Sequence, residues 1–107
     1  MKSEGNQRIF GMLGFAMRAG RVIIGTELIC SGMSGGKIKL VLISSAASEA
    51  TKKKLLNKSE YYGISTIEVD IDTERLGEIL GKTYSPAAVA ITDEGFASEI
   101  IKASVQK

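Results

Sequence analysis

Two short segments of this chain combine residue types that suit an anionic ligand. Gly25-Thr26-Glu27 follows the apolar run Val22-Ile23-Ile24. A strand that runs directly into a helix exposes backbone N–H groups of partial positive charge, and a glycine at that point lets another backbone come close. Arg18, Arg21, Lys37 and Lys39 lie in the segments flanking the same helix, where they could surround it. The same three residues also suit an ordinary turn capped by Thr26. The second segment is Gly81-Lys82-Thr83-Tyr84-Ser85-Pro86, a proline-bounded loop that offers a cation at Lys82, hydroxyls at Thr83 and Ser85, and a ring at Tyr84. Such groups suit an unstacked base and its phosphate. Packing of Tyr84 over a sheet is the alternative reading of the loop.

Most other chemistry is excluded by composition. Histidine is absent and Cys30 is the single cysteine, so no Ser-His or Cys-His pair, no four-ligand Cys/His zinc site and no internal disulfide can be built. Cys30, beside Leu28 and Ile29, reads as a small apolar core side chain of a reducing compartment. The segment Ser31 to Lys37 (SGMSGGK) looks superficially like a phosphate loop. It has Ser31 where the first glycine belongs and Ile38 where the magnesium-binding hydroxyl belongs, and it precedes a strand, so it reads as a helix-ending loop. Asp70, Asp72 and Glu74 cluster on a polar connection and read as a solvated group. Ser44 and Ser45 follow a buried strand but have no base beyond Lys or a carboxylate to activate them. The expectation is a protein without catalysis, cofactor or metal.

The elements that position these residues follow from periodicity. Ile9, Leu13 and Met17, with Phe10 beside them, predict a helix over residues 6–18 that Gly20 stops. Val22 to Ile24 is a short strand, and Thr26 then caps a helix to about Gly32 that the glycines at 32, 35 and 36 end. Leu40 to Ile43 and Ala87 to Ile91 are continuous apolar runs, which implies strands covered on both faces. Between them lie a helix from about Ser48 to Tyr62 closed by Gly63, a partly polar edge strand Ile64 to Val69, and a short helix Thr73 to Leu80 closed by Gly81. Asp93 caps a last helix whose buried stripe is Phe96, Ile100 and Ala103. Alternating strands and helices in 107 residues predict one α/β domain, a three-layer α/β/α sandwich on a four-stranded mixed sheet. Phe10, Phe96 and the tyrosines are expected in its core.

The net charge is only +2, but its distribution is uneven. Residues 1–58 hold ten Lys/Arg against three acids, a balance of +7, and residues 59–107 hold four against nine, a balance of −5. The asymmetry suggests a basic face that meets phosphate. A solvated helix face is the plain alternative for Lys52 to Lys54. The uncharged stretch Ile9 to Met17 is diluted by Gly11 and Gly14, is followed at once by Arg18, and lacks a cleavage site, so it is no signal peptide. No segment has the apolar length to span a bilayer. A cytoplasmic protein without membrane contact is expected.

Taken in order, MLGFAMRAGRVIIGTE (12–27), KLVLISSAASEATKKKL (39–55), EYYGI (60–64), LGEILGK (76–82) and AVAITDEGFA (88–97) resemble the bacterial YlxQ-type branch of the ribosomal L-seven-Ae, L-thirty-e and Gadd superfamily of kink-turn RNA-binding proteins. The likeness runs from about residue 9 to 103. It implies the three-layer fold, structured and ribosomal RNA as partner, contacts with ribosomal proteins, and no catalysis. It also implies that RNA is held at Gly25, Thr26, Glu27 and Ser31, one turn on, and by Lys82, Thr83, Tyr84 and Ser85. Kink-turn binders carry Gly-Thr-Asn-Glu-x-x-Lys at the helix start. Here Glu27 stands for the Asn, Leu28 for the Glu and Ser31 for the Lys, which weakens phosphate attraction while leaving Glu27 able to accept hydrogen bonds from base amino groups. The competing reading is a protein-interaction module that docks through Asp70, Asp72 and Glu74 or through the Lys52 to Lys58 helix face.

Overall fold

The computed structural model describes the backbone of residues 2–105 and the side chains of residues 7–104, so the side chains of Lys2, Glu4 and Lys107, counted in the charge balance above, lie outside the described residues. The order is α1 (Lys2–Arg18), β1 (Val22–Ile24), α2 (Thr26–Gly32), a 3-10 turn (Met33–Gly35), β2 (Leu40–Ser44), α3 (Glu49–Tyr62), β3 (Ser65–Val69), α4 (Thr73–Ile79), β4 (Ala88–Ile91) and α5 (Glu94–Val105). The strands lie in the order β1-β4-β2-β3; β4 is antiparallel to both its neighbours and β2 is parallel to β3. The sheet is therefore mixed, as expected, with β3 at one edge and β1 at the other.

Side-chain alternation in the two central strands splits the core. Leu40, Leu42, Val89 and Ile91 face a layer made by Ile9, Leu13 and Ala16 of α1, Leu76 of α4, and Ala97, Ile100 and Ala103 of α5. Val41, Ile43, Ala88 and Ala90 face Ile29 of α2 and Leu55 of α3. Every residue of β2 and β4 is buried, which explains their unbroken apolar runs. Each large side chain removed from water in this way contributes about 2 kcal/mol.

α1 begins at Lys2 rather than residue 6, because its first turns carry no apolar stripe and so left no periodic signal. It ends as foreseen at Gly20, whose φ of 72° permits the left-handed turn. The Gly20 and Arg21 N–H groups donate back to Met17 O (3.1 Å) and Ala16 O (2.9 Å), closing the helix and delivering Arg21 to the start of β1. Gly81 (φ 70°) ends α4 in the same way, with the Lys82 N–H donating to Gly77 O at 2.9 Å. Two glycine-closed helix ends thus each place a cation.

The expected burial of the aromatic side chains is half right. Phe10 and Phe96 pack against the first core layer. The tyrosines do not: Tyr61, Tyr62 and Tyr84 are 82%, 39% and 54% exposed. Leu55 and Ser59 fix the inward face of α3, and Tyr61 falls outside that face.

Candidate nucleic-acid interface

β1 pairs with β4 so that Ile24 lies opposite Val89, and the Gly25 N–H continues the ladder by donating to Ala88 O at 3.2 Å. This bond holds Gly25 in an extended but positive-φ conformation, φ 103° and ψ 140°. Gly25 rather than Thr26 is consequently the N-cap, and the expected Thr26 cap does not form: Thr26 is already the first helical residue, and no side chain caps α2. The first intrahelical bond is from Ile29 N to Gly25 O, so the N–H groups of Thr26, Glu27 and Leu28 precede it and have no hydrogen-bond partner among the described residues. A side chain built at Gly25 would meet nothing within 4 Å, so this backbone is open to approach.

The Lys82 to Ser85 loop leads into β4 immediately beside this turn. It is pinned across α4: a Cβ at buried Gly77 would land on the Tyr84 carbonyl oxygen and 3.3 Å from Pro86 Cδ. Only a glycine at 77 lets loop and helix approach this closely. Lys82 and Tyr84 then share an open groove of about 400 Å³ with Met17, Gly20, Val22, Ile23, Ile24 and Leu28. Thr83 and Ser85 are exposed on the same loop. The two candidate segments, far apart in the chain, are thereby brought together.

The remaining candidates form a second group. Arg21 O accepts the Thr92 N–H at 2.9 Å and Lys39 N donates to Ile91 O at 2.8 Å, so Arg21 and Lys39 flank the far end of β4. Arg21 is four residues before Gly25 on an extended strand, about 13 Å away at about 3.3 Å per residue. Lys37 is nearby in sequence, and Lys39 Nζ donates to Gly36 O at 3.2 Å. Arg18 lies over the Phe15 ring at 4.9 Å. None of these four cations, nor Lys82, pairs with a carboxylate among the described residues. Arg21 and Lys39 therefore mark the other end of β1 rather than ringing the turn at Gly25, and Ser31 is exposed one helical turn beyond Glu27 on α2.

Three features of the interface were not foreseen. Lys54 Nζ donates to Glu27 Oε2 at 3.0 Å, which puts a lysine of α3 beside the start of α2. The hydrogen bond and charge of Glu27 raise the Lys54 pKa above the ordinary lysine value. The apolar groove wall was also missed, because Leu28 was grouped with Ile29; in so short a helix only one of two adjacent residues faces the sheet, and Leu28 is 65% exposed while Ile29 is fully buried. Met17, Val22 and Ile24, which pack against the first core layer, line the same groove. The third is the approach of the Tyr84 carbonyl to Gly77, for which adjacent hydrophobic and turn residues leave no sequence signal.

The other chemistry-bearing residues are spent on structure. Ser44 Oγ donates to Ile71 O at 2.5 Å and accepts from Ala46 N at 3.0 Å. Asp72 accepts the Arg75 N–H at 2.7 Å as the cap of α4. Lys52 pairs with Glu68 at 3.3 Å across α3 and β3. Half-buried Cys30 packs against the second core layer. The Ser31 to Lys37 segment comprises the end of α2, the 3-10 turn and a left-handed Gly36, leading toward β2. Among the described residues no cluster of three or more Cys, Asp or Glu could hold a metal ion, and no helix is long and apolar enough to cross a membrane.

The ribosomal protein L7Ae/L30e/S12e/Gadd45 family matches residues 7–101. The chain belongs to this family. It is 39% identical over 98 residues to the RNA-binding protein YlxQ of Enterococcus faecium, covering 91% of this chain and 92% of that one. It is 37% identical over 92 residues to the RNA-binding protein YlxQ of Bacillus subtilis, covering 86% and 90%. The fold is shared with the Giardia lamblia 15.5kD RNA binding protein, with a TM-score of 0.79 at 13% identity over 94% of this chain and 85% of that one. The family match spans both groups of cations, the groove and the loop that borders it, and it makes this an RNA-binding protein of the L7Ae/L30e type.

Proposed function

We propose that this protein is a non-catalytic, cytoplasmic, ribosome-associated protein that docks structured RNA of the kink-turn type on the start of α2. In this reading the free N–H groups of Thr26, Glu27 and Leu28 meet phosphate or base oxygens, Glu27 accepts from base amino groups, and the Lys82 to Ser85 loop holds an extruded nucleotide against the groove. Arg18, Arg21, Lys37 and Lys39 neutralise the backbone further along, past Ser31. The observation that carries the reading is the uncapped helix start opening onto a groove that Lys82 and Tyr84 also line. The ribosomal name of the family supports the ribosomal setting. The absence of histidine and the structural commitment of Ser44 support a role without turnover.

The protein-interaction alternative draws less support, since Asp72 is a helix cap, Glu78 pairs with Arg75 at 3.1 Å and Lys52 pairs with Glu68. Phosphate contacts release counterions, so the logarithm of affinity for a kink-turn RNA falls linearly with the logarithm of salt, by about 0.7 to 0.9 per phosphate neutralised. Joint Arg18→Ala and Arg21→Ala substitution should flatten that slope by about two contacts. An affinity indifferent to salt contradicts the proposal.

A further inference from the structure

A second contact lies outside the α2 turn, on the exposed side of α1. Phe15 is 56% exposed although it sits two residues from groove-lining Met17 in a helix whose inward face is Ile9, Leu13 and Ala16. Its ring carries the Arg18 guanidinium, with Cζ 4.9 Å from the centroid. Side chains of a helix lean toward its N-terminus, so a residue at i+3 folds back over the ring at i and its plane is held there. Arg18 makes no ion pair among the described residues. One turn before Phe15 is Gly11, where a Cβ would meet nothing within 4 Å. A glycine inside a helix costs about 0.5–1 kcal/mol relative to alanine, and no contact within the fold requires it here. The result is a flat ledge of ring and guanidinium with no side chain beside it at Gly11.

We propose that Phe15 and Arg18 form a stacking platform for an unpaired nucleotide that flanks the folded RNA bound at α2. The occupant follows from chemistry and position. A guanidinium fixed on a ring presents a cationic plane, which suits a base face and its phosphate better than a neutral apolar surface. Arg18 lies at the end of α1, next in sequence to Met17 and two residues before Gly20, which line the groove together with Lys82 and Tyr84. Arg21 extends the positive charge at the foot of β1. The proposal rests on the docking of RNA at α2 and adds single-stranded RNA beyond the structured part to what the protein holds.

The test compares two probes on the full chain: a blunt-ended kink-turn hairpin, and the same hairpin carrying an unpaired uridine tail. The tail should tighten binding by about tenfold, in the range of one stacked base. Phe15→Ala should abolish that gain while leaving the blunt hairpin's affinity unchanged, Phe15→Leu should abolish it too, and Phe15→Tyr should retain it. Phe15 is surface-exposed, so these variants should fold, which circular dichroism checks. Ultraviolet cross-linking should attach the tail to the α1 peptide containing Phe15. A tail that adds nothing, a gain that survives Phe15→Ala, or cross-links confined to other elements overturns the platform. If neither hairpin binds, the docking proposal fails separately, and oligouridine alone still decides the matter: binding lost on Phe15→Ala upholds the platform, and no binding rejects it. Capture of a protein on the same face, with oligouridine unable to compete, also rejects it.

Discussion

Four strands of this molecule run into helices, and the four turns are not built alike. After β2, Ser48 accepts the Thr51 N–H at 3.1 Å; after β3, Asp72 accepts that of Arg75; after β4, Asp93 accepts that of Phe96 at 2.9 Å. After β1 there is no capping side chain, and the cap position is Gly25 with a positive φ and open space above it. Each of three turns satisfies one helix-start donor with a side chain, and the fourth satisfies none, beside a groove that Ile24 and Leu28 line. A Ser, Thr, Asp or Asn cap stabilises a helix by about 1 kcal/mol. Its omission at one turn of four, next to a loop carrying Lys82 and Tyr84, is the feature on which the proposed RNA contact rests.

The contrast can be broken first at Gly77. Gly77→Val should drive the Tyr84 carbonyl and Pro86 off α4 and lower stability by about 3 kcal/mol, the upper range for overpacking, as read by urea denaturation. Gly77→Ala, which brings only the Cβ, should cost less and still weaken RNA binding, because the loop is displaced from the start of α2. Unchanged stability and affinity in both variants would show that the loop is not held by this contact.

The caps sharpen the comparison directly. Ser48→Ala and Asp72→Ala should each lower stability by about 1 kcal/mol, whereas Thr26→Ala should change it by less than about 0.5 kcal/mol, since Thr26 caps nothing. A Thr26→Ala loss as large as that of the other two would place a cap where the structure has none.

The smallest effect concerns the ion pair that joins α3 to the open turn. Glu27 raises the Lys54 pKa. A cation whose pKa is higher in the folded state adds stability that is fully present below its unfolded value and lost as pH rises through the folded value. Glu27→Gln should therefore bring the Lys54 titration, followed by NMR of the side chain, back toward the ordinary lysine value. It should also remove a small stability increment seen at neutral pH and absent at strongly alkaline pH. An unmoved titration would dissolve the pair.

The legibility of these features from sequence divides along physical lines. Local signals carried well: the cap at Asp93, the start of α3 near Ser48, the glycine stops at 20, 63 and 81, and the two buried strands all follow from residue types within a few positions of one another. The sandwich follows from their order. Signals that depend on what arrives from far along the chain did not carry. Thr26 has the right chemistry for a cap, but the bond from Gly25 to Ala88 shifts the helix start by one residue. The Glu27 to Lys54 pair spans 27 positions, and nothing in either neighbourhood announces it. The cations were assigned to one corner because they flank α2 in sequence; the β1–β4 register instead puts Arg21 and Gly25 at opposite ends of a strand. Leu28 and the tyrosines show that apolar type alone does not reveal which side of a short helix or loop faces out.

In the proposed docking the unpartnered amides at the start of α2 are the ones that meet RNA. Amide NMR of the full chain titrated with a kink-turn RNA tests it most directly, with the capped amides of Thr51, Arg75 and Phe96 as internal references. Large shifts and slowed solvent exchange are expected at Thr26, Glu27 and Leu28, with the three references unmoved. Shifts centred on Thr51, Arg75 or Phe96 while residues 26–28 stay unchanged would contradict it.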